Sequence, residues 1–598
     1  MKNFVQTFFA SLLAVVVASV FVGFLSVVIM AGTISTMSIS TTSKPVVVKD
    51  STVLVVDMKT VFEEGVYQNQ FGNLSLEIES SLLKVNKVNY LKALDVIRLA
   101  AKDNKIIAMR LNPNGMSLNM AQMVEFREVL AEFAKEKPIY VYADTFNTLG
   151  EYYISSVSDS IMLSRLGSLP WWGLASGGMF YKGLFDKFGI DAEVFRCGKF
   201  KSAVEPYTEK KMSDENRKQT ELMLNTIWGY ILNDVAKSRG LDSAKLQQLA
   251  SDLAIATSKD VVNHGFVDRI GGPEQASEML YNLYGGNKKM LKTVSLKNYM
   301  STFVLANKGK KSQNVGKNKV VVIQAEGAIM PIAASSKNIT PGDMLSKLKS
   351  VEKDSTIKAV VIRVNSPGGS ALDSEIICSQ VEKLRKVKPV VISMSAYAAS
   401  GGYYISALAD RIVASPLTLT GSIGVFSVAI DPTKALNKLG ITFDVVKTNK
   451  SSDIGLSSMT PAQRNFLQKS IDEVYTLFKE RVATGRNMTL EQVESIASGR
   501  VWTGIEAKRV GLVDELGGLR EAILIAAKLS GIENNYTLSM LPNKDDSMDK
   551  MVNMLKKFVK IDANIQRSLL DEYIERVKAV MNMSGKVMAL SPVVFNIE

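Results

Sequence analysis

Two glycine-rich turns in the second half of the chain have the composition of a site that holds a developing negative charge. They are Asn365-Ser366-Pro367-Gly368-Gly369-Ser370 and Ala398-Ala399-Ser400-Gly401-Gly402, each between a predicted strand and a predicted helix. Adjacent glycines let backbone N–H groups point outward, and small residues beside Ser400 leave room for a substrate carbonyl. A helix N-terminus there would also favour negative charge. The candidate oxyanion-hole donors are the backbone amides of Gly368, Gly369 and Gly401. Tight turns without any chemistry are the alternative.

The single histidine limits which base could activate a serine. A Ser-His-Asp triad, a Cys-His dyad or a multi-histidine metal site would all need His264, which lies far along the chain from both turns. We expect a capping or packing role for it, so a hydrolytic site must take its base from lysine, aspartate or glutamate. The two cysteines, Cys197 and Cys378, lack the spacing of a zinc site. We expect neither a metal nor a cofactor.

An internal repeat organises the chain of 598 residues. Gly150–Ser155 matches Gly401–Ser406 at an offset of 251 residues, and three further segment pairs follow in the same order. These further pairs are Arg110–Gly115 with Arg363–Gly368, Asp191–Val194 with Thr442–Val445, and Gly265–Gly272 with Gly511–Gly518. Four matches in one order indicate a duplicated domain. In this alignment His264 faces Val510 and Leu149 faces Ser400, so the first copy keeps the turns without the serine.

Both copies alternate short β-branched runs with helical patterns, which is typical of an α/β domain with a largely parallel sheet. The predicted strands are Val53–Val56, Ile106–Met109, Ile139–Tyr142, Val320–Ile323, Ala359–Val364 and Val390–Met394. Helix periodicity extends over residues 373–386 and 462–484.

The two glycine turns, together with Thr420–Gly424 and Gly198–Pro206, resemble motifs of the signal peptide peptidase A family in its long, duplicated form (protease IV). The resemblance covers nearly the whole chain. It implies tandem Clp-protease/crotonase-like ββα spiral domains and a Ser-Lys dyad. It also implies that Ser400 is the nucleophile, that Lys201 is the general base, and that Ser422 helps to position the lysine.

A neutral lysine is the usual base where histidine is excluded, because a serine hydroxyl is a weak nucleophile until its proton is taken. A free lysine has a pKa of ~10.4, and lowering it to ~7–8 requires about 3–4 kcal/mol. Burial beside Phe200 and Val204 would supply that shift, provided that the neighbouring Glu205 points away from Lys201.

The repeat helps to decide which of two nearby lysines, Lys201 or Lys199, is the candidate base. The second copy keeps a lysine, Lys450, at the position of Lys199, whereas Lys201 aligns with Ser452. We therefore expect Lys199 to be structural. The first copy has the lysine without the serine and the second has the serine without the lysine, so each half alone should be inert.

A run without charged residues over positions 8–32 is long enough to cross a bilayer, and we expect it to be an uncleaved anchor. Lys2 before this run favours a cytoplasmic N-terminus. The expected division of the chain is 1–34 cytoplasmic N-terminus and transmembrane anchor, 35–275 first peptidase-like domain supplying Lys201, 276–318 linker, 319–520 second peptidase domain supplying Ser400, and 521–598 a mostly helical C-terminal region.

Together with the expected anchor, the resemblance implies a membrane-anchored serine endopeptidase that degrades cleaved signal peptides and other short or unfolded polypeptides. We expect a single-pass protein of the bacterial inner membrane with its catalytic part on the extracytoplasmic side. We also expect a homo-oligomer, a tetramer by the resemblance, with the dyad formed between neighbouring chains. The alternatives are a crotonase-type acyl-CoA enzyme and a catalytically idle membrane scaffold. The net charge of +13 comes from scattered residues without interleaved aromatics, so we expect no nucleic-acid partner.

Overall fold

The computed structural model describes residues 47–64, 87–283, 286–287, 291–308, 318–332, 338–455, 458–541 and 587–590. The predicted anchor over residues 8–32 lies outside these ranges. Among the helices within them, none has the length and apolar character needed to cross a bilayer.

The first half contains nine strands and ten α-helices within the described ranges. The strands are β1 (Thr52–Asp57), β2 (Val61–Glu63), β3 (Lys87–Asn89), β4 (Ile106–Asn112), β5 (Ile139–Ala143), β6 (Ser160–Leu163), β7 (Asp191–Cys197), β8 (Arg269–Ile270) and β9 (Lys292–Ser295). The helices are α1 (Tyr90–Lys102), α2 (Met120–Ala134), α3 (Leu149–Ser155), α4 (Lys182–Phe188), α5 (Glu205–Thr208), α6 (Asp214–Arg239), α7 (Ser243–Ser251), α8 (Ser258–Asn263), α9 (Pro273–Asn282) and α10 (Leu296–Lys308).

The second half contains eleven strands and eight α-helices within the described ranges. The strands are β10 (Lys319–Glu326), β11 (Ile357–Ser366), β12 (Gly368–Ser370), β13 (Val390–Ala399), β14 (Arg411–Ala414), β15 (Leu419–Gly421), β16 (Val425–Asp431), β17 (Val501–Thr503), β18 (Glu515–Leu516), β19 (Thr537–Leu541) and β20 (Met588–Leu590). The helices are α11 (Pro341–Lys353), α12 (Ala371–Arg385), α13 (Gly401–Tyr404), α14 (Thr433–Lys438), α15 (Pro461–Arg486), α16 (Leu490–Ile496), α17 (Gly504–Arg509) and α18 (Leu519–Leu529).

Local sequence explains where the long helices begin. At α2, Asn119 and Gln122 form a reciprocal capping box, and at α15 Thr460 and Gln463 do the same ahead of the buried face of that helix. The six predicted strands and the two predicted helical stretches are confirmed, because β-branched runs fill the buried central strands and amphipathic runs cover them.

Two equivalent parallel sheets form the centres of the halves. The first has the strand order β8-β6-β5-β4-β1-β9, and the second has β17-β15-β13-β11-β10-β19 with β14 beside β13 and β18 beside β14. All pairings in these sheets are parallel except β15 with β17. This confirms the α/β class and the duplication, whereas the spiral form of each domain stays a prediction.

Equivalent side chains make equivalent bonds in the two halves. Tyr152 donates its hydroxyl to the carbonyl of Phe266, and Tyr403 donates to the carbonyl of Leu512. Both partners lie in the repeated segments, so the duplication preserves tertiary contacts as well as sequence motifs.

The halves share one body rather than being joined by a linker alone. Strand β7 of the first half pairs antiparallel with β16 of the second over seven residue pairs. A buried bidentate ion pair joins Arg363 to Glu64, with N–O distances of 2.7 and 2.8 Å. Leu417, Leu419 and Val501 of the second half lie in the core of the first.

Two of the expected boundaries differ from the structure. The predicted linker over 276–318 contains β9 and α10, and β9 completes the first sheet beside β1. The described part of 521–598 is not mostly helical, because β19 is the second-half counterpart of β9 and pairs with β10. Both edge strands are short and follow polar segments. For this reason they are difficult to recognise as strands from the sequence.

Candidate active site

Ser400 lies at the end of the central strand β13, where the chain turns sharply into the four-residue helix α13. Its backbone has φ 56° and ψ −115°, a conformation that costs a non-glycine residue free energy and is typical of functional turns. The Ser400 amide donates to the carbonyl of Gly421 at 2.8 Å, which fixes the turn. A side chain at Gly402 would collide with the backbone carbonyl of Ser366, so only glycine permits this close packing.

Lys201 approaches Ser400 from the other half of the same chain. Its Nζ lies 2.7 Å from the Oγ of Ser400 and 3.0 Å from the Oγ of Ser422. Nζ also donates to the backbone carbonyl of Ser422 at 3.2 Å. The three side chains are fully buried. The structure therefore brings together all three residues that the family resemblance selected.

Strand β7 delivers Lys201, and two glycines let its loop lie against the second half. A methyl group at Gly499 would come within 2.7 Å of the Cβ and the amide nitrogen of Lys201, and one at Gly198 would overlap the backbone of Ser498. The amide of Phe200 donates to the carbonyl of Ser498 at 2.9 Å. Because both contacts are backbone to backbone, the position of Lys201 is set by the main chain.

Burial determines the ionisation of the lysine. Removal of Lys201 from solvent holds its pKa well below the usual range of an amine, since the charged form loses its hydration. The carboxylate of Glu205 accepts hydrogen bonds from Ser213 and Asn216 at the start of α6 instead of facing the amine. Lys199 is exposed, with its Nζ over the ring of Phe200.

Ser422 occupies the turn between β15 and β16 with a φ of 50°. Its amide donates to the carbonyl of Arg500 at 2.7 Å, which anchors the turn to the segment before β17. The side chain and the carbonyl of Ser422 thus face one amine together, and both accept hydrogen bonds from it. The Oγ of Ser400 is therefore the third hydrogen-bond partner of Nζ.

The candidate oxyanion donors lie around one point beside Ser400. A methyl group at Gly401 would be 3.1 Å from the amide nitrogen of Gly369, and one at Gly368 would be 2.7 Å from the amide nitrogen of Gly401. The amide of Gly368 already donates to the Oγ of Ser366 at 3.2 Å. Of the three candidates, the geometry therefore favours Gly369 and Gly401 as donors to a reacting carbonyl.

The equivalent place in the first half is closed by its own side chain. Leu149 stands at the position of Ser400, and Glu151 stands at the position of Gly402. The buried carboxylate of Glu151 accepts hydrogen bonds from the amides of Gly115 and Asn147, each at 2.8 Å. Because Gly115 is the counterpart of Gly368, the side chain of Glu151 occupies the glycine turn of the first half.

The expectation that the dyad forms between neighbouring chains is wrong. The distance of 2.7 Å between Lys201 and Ser400 is spanned within one chain. The physical reason is the antiparallel pairing of β7 with β16, which carries the lysine loop of the first half directly onto the serine turns of the second.

The other polar candidates lie away from this site. His264 is the C-terminal cap of α8, in agreement with the structural role expected for it. Cys197 and Cys378 are free thiols. Within the described ranges, no group of three or more histidine, cysteine or acidic side chains is arranged to hold a metal ion.

Sequence reasoning missed the residues that hold the lysine loop. Gln219 of α6 donates to the carbonyl of Phe200 at 3.1 Å and to the Oγ of Ser202 at 3.2 Å, and it accepts from the amide of Val501. Ser366 and Gly499 were also missed as supports. Gly499 follows Ser498 at the end of a helical pattern, and a glycine there signals a positive φ but not what approaches it.

Comparison with known proteins places this chain in a family. The profile of peptidase family S49 matches residues 131–285 and 382–533, one region in each half. "Protease 4" of Salmonella typhi is 34% identical over 73% of this chain and 72% of its own length. "Serine protease SPPA, chloroplastic" of Arabidopsis thaliana is 30% identical over 79% of this chain and 71% of its own. A "putative signal peptide peptidase SppA" of Enterococcus faecium is 33% identical over 35% of this chain and 63% of its own.

The two matched regions together cover just over half of the chain, and one lies in each half of the duplicated fold. The first contains Lys201, and the second contains Ser400 and Ser422. The match disfavours both the acyl-CoA enzyme and the idle scaffold. The chain belongs to peptidase family S49 and is a serine peptidase.

Proposed function

We propose that this serine peptidase uses Ser400 as its nucleophile and Lys201 as its general base, with Ser422 positioning the amine. The observation that carries the proposal is the 2.7 Å contact between Ser400 Oγ and the buried Nζ of Lys201. This distance lies within the ~2.6–3.2 Å that proton transfer requires. Burial without a facing carboxylate favours the neutral amine that a base must be.

The chemistry follows from these positions. Neutral Lys201 takes the hydroxyl proton of Ser400 as Oγ attacks the peptide carbonyl, and the amides of Gly369 and Gly401 stabilise the oxyanion. The lysine ammonium, held by the Oγ and the carbonyl of Ser422, then gives its proton to the departing amine. Water hydrolyses the acyl-serine by the same proton route in reverse.

Fluorophosphonate labelling and peptide cleavage test the dyad on matched variants. We expect Ser400→Ala to lose both labelling and cleavage, and Lys201→Ala to lose cleavage by a factor of ~10³ or more. Lys199→Ala removes a lysine two residues away that is exposed, and it should retain activity. Normal cleavage by Lys201→Ala would refute the proposed base.

Cleaved signal peptides and other short or unfolded chains are the substrates that we propose. The name of the Enterococcus faecium relative and the motif resemblance support this class. The closely enclosed dyad also favours extended chains over folded proteins. The test compares a synthetic apolar signal peptide with a folded, disulfide-free protein of the same composition. Equal cleavage rates for both would contradict the proposal.

We also propose that residues 8–32 anchor the protein in the bacterial inner membrane by a single pass, with the peptidase on the extracytoplasmic side. The support is the run of uncharged residues in the sequence. Extraction of membranes at alkaline pH tests anchoring, and protease treatment of intact spheroplasts tests the side. Release of the full-length chain by alkali would contradict the anchor.

A homo-oligomer is the state that we propose, and the internal repeat indicates its contact. Within one chain, β7 pairs with β16. Their repeat counterparts, residues 442–448 and 174–180, pair with no strand within the described residues and are mostly exposed. Phe443 and Val446 of the first segment and Met179 of the second are exposed apolar residues. Residues 442–448 of one chain would therefore pair with residues 174–180 of the next, and such head-to-tail contacts close into rings.

A further inference from the structure

A single turn of the second half, residues 498–500, supports two of the three residues of the proposed site. We call it the support turn. One of its carbonyls accepts a hydrogen bond from the amide of Phe200, which precedes Lys201, at 2.9 Å. Another accepts from the amide of Ser422 at 2.7 Å. Because Ser422 also binds the Nζ of Lys201, a shift of the support turn would change the surroundings of the amine.

The support turn begins in a backbone conformation that L-residues rarely adopt. Ser498 has a φ of 53°, and the next residue, Gly499, has a φ of 79°. Glycine adopts this left-handed region freely, whereas the Cβ of a serine makes it unfavourable. Such a conformation persists where the surrounding groups hold it in place. The hydrogen bonds that reach Ser498 from outside the turn therefore fix the shape of the support turn.

Tyr475 on helix α15 supplies a bond that holds this conformation. Its hydroxyl accepts from the amide of Ser498 at 3.1 Å and donates its own proton to the carboxylate of Glu494, whose two oxygens both lie at 3.1 Å. Burial raises the pKa of the Tyr475 hydroxyl, so the proton stays on it and its lone pairs remain available to the amide. The ring of Tyr475 packs in the core of the second half, and a phenylalanine ring would fill the same space.

Glu494 on helix α16 fixes the orientation of that hydroxyl. Its carboxylate also accepts from the Oγ of Ser498 at 2.9 Å and from the Nζ of Lys479 at 2.8 Å. The Nζ of Lys479 lies 4.5 Å from the centre of the Tyr475 ring as well. The carboxylate and the ammonium therefore both contact the tyrosine, and charge-assisted hydrogen bonds of this kind are stronger than neutral ones.

We infer that Tyr475, oriented by Glu494, is a positioning residue for the Lys201 amine, on which it acts through the support turn. This role rests on the proposed function of Lys201. Without the hydroxyl, the amide of Ser498 loses its acceptor, and the support turn relaxes from its unfavourable conformation. The lysine loop then moves, and water gains access to the buried Nζ. Turnover falls because proton transfer depends on the position of Nζ relative to the Oγ of Ser400.

Steady-state kinetics with a chromogenic peptide test the inference on Tyr475→Phe. We expect kcat to fall about tenfold while KM changes by less than about twofold, because the substitution acts on proton transfer and not on peptide binding. The midpoint of the kcat/KM profile should also rise by about 0.5 pH unit or more, because a hydrated amine is easier to protonate. A kcat within about twofold of wild type, or a fall in kcat without a shift of the midpoint, would overturn the inference.

Tyr153→Phe is the matched control. Tyr153 is a buried tyrosine of the first half whose hydroxyl also donates to a carboxylate, that of Asp234, at 2.6 Å. Its ring also lies beneath a cation, the guanidinium of Arg127, at 4.6 Å. The control variant should keep the kcat and the midpoint of wild type. Equal losses in Tyr153→Phe and Tyr475→Phe would overturn the inference, since they would not depend on the support turn.

Two substitutions of Glu494 complete the kinetic experiment. Glu494→Ala alters a side chain that is 45% exposed, and it should reproduce the loss of kcat and the shift of the midpoint. This variant keeps the test decisive where Tyr475→Phe does not fold. Glu494→Gln retains an oxygen that accepts from the tyrosine, and it should recover most of the activity. Wild-type kinetics in Glu494→Ala would overturn the inference.

Direct titration of Lys201 distinguishes failure of the inference from failure of the proposed base. In Ser400→Ala protein with isotope-labelled lysine, the NMR signal of the Lys201 Cε is assigned by its absence in Lys201→Ala. It is then followed over pH with and without Tyr475→Phe. A higher pKa of Lys201 in Tyr475→Phe supports the inference, and an unchanged pKa overturns it. If Lys201→Ala retains wild-type cleavage, the proposed base fails, whereas the titration still decides whether Tyr475 fixes the surroundings of the amine.

Discussion

Lys201 has one side chain that is required to do two opposing things. It lies in a fully buried position, which disfavours its charge, and as the proposed general base it must accept and return a proton during each turnover. The only polar groups that the described structure brings to its Nζ are the two hydroxyls and one carbonyl of Ser400 and Ser422. None of these carries a negative charge, so the neutral amine is favoured at rest.

The pH dependence of catalysis follows from this burial. Because the pKa of Lys201 is lowered, kcat/KM should rise with pH through that lowered value and then reach a plateau below ~10.4, the pKa of a free lysine. Rates with a chromogenic peptide over a range of pH give the profile. Ser422→Ala should shift the midpoint, whereas a rise near pH ~6.5 that His264→Ala abolishes would contradict the dyad.

The same residue should lower the stability of the fold at neutral pH. Below ~10.4 the unfolded chain protonates Lys201, and the folded chain does so less readily, so stability rises with pH between the lowered pKa and ~10.4. Lys201→Met should therefore raise Tm by about 1–3 °C at pH 7, with a difference that shrinks toward pH 10. Thermal scans at several pH values measure this, and Lys199→Met is the exposed control. An unchanged or lower Tm in Lys201→Met at pH 7 would contradict the prediction.

At the scale of elements, the lysine loop depends on a backbone contact between halves. Lys201 follows β7, and its loop lies on the turn that contains Gly499 and precedes β17. Glycine and main-chain atoms form this contact, so the types of the side chains in the sequence do not reveal it.

Gly499→Ala should therefore reduce turnover by about 10²-fold, because its methyl group would push the backbone of Lys201 and misplace the amine. Gly455→Ala is the matched control: both glycines have positive φ, 79° and 83°, but nothing lies within 4 Å of a methyl group at Gly455. Rates and Tm of both variants are compared. Equal losses of activity would show that backbone strain, rather than displacement of Lys201, is the cause.

The sequence allowed the central strands, the repeat and the three candidate site residues Ser400, Lys201 and Ser422 to be predicted, because each leaves a local pattern or a motif. Edge strands β9 and β19 were missed, since a short half-exposed strand resembles a polar connection. Gln219 and Gly499 were missed as well, because their roles depend on contacts between segments more than 200 residues apart in the chain. The pairing of β7 with β16 also joins segments more than 200 residues apart, so it could not be predicted from local sequence. This pairing is the reason why the expectation of a dyad between chains was wrong.

At the scale of the whole molecule, the dyad within one chain predicts a failure of complementation. Chains with Ser400→Ala and chains with Lys201→Ala, unfolded together and refolded, should regain no activity, because every Ser400 faces the lysine of its own chain. Peptide cleavage by the mixture is measured after tagged pull-down confirms that the two kinds of chain have assembled. Recovery of about a quarter of the wild-type rate would require exchange of β7 between chains.

The proposed oligomer has its own test. Val446 is 99% exposed in the unpaired segment 442–448, so Val446→Asp should weaken strand addition by the next chain and lower the mass measured by light scattering. Met179→Asp, on the partner segment, should have the same effect. Leu166→Asp should not, since Leu166 lies outside both segments. A mass that stays unchanged in Val446→Asp and Met179→Asp would refute this contact.

The carboxylate of Glu151 has a consequence for how such a protein can change over time. A single substitution of Leu149 by serine would not give the first half a site like the one proposed for the second. The side chain of Glu151 fills the turn, and the loop after residue 448 carries Ser452 at the position where a lysine is needed. Substitutions at all three positions would be needed together, since none of them alone would provide such a site. Loss of either half, in contrast, would remove the proposed nucleophile or the proposed base in one event. Because the proposed nucleophile and the proposed base lie in opposite copies, neither copy can be lost without loss of the proposed dyad.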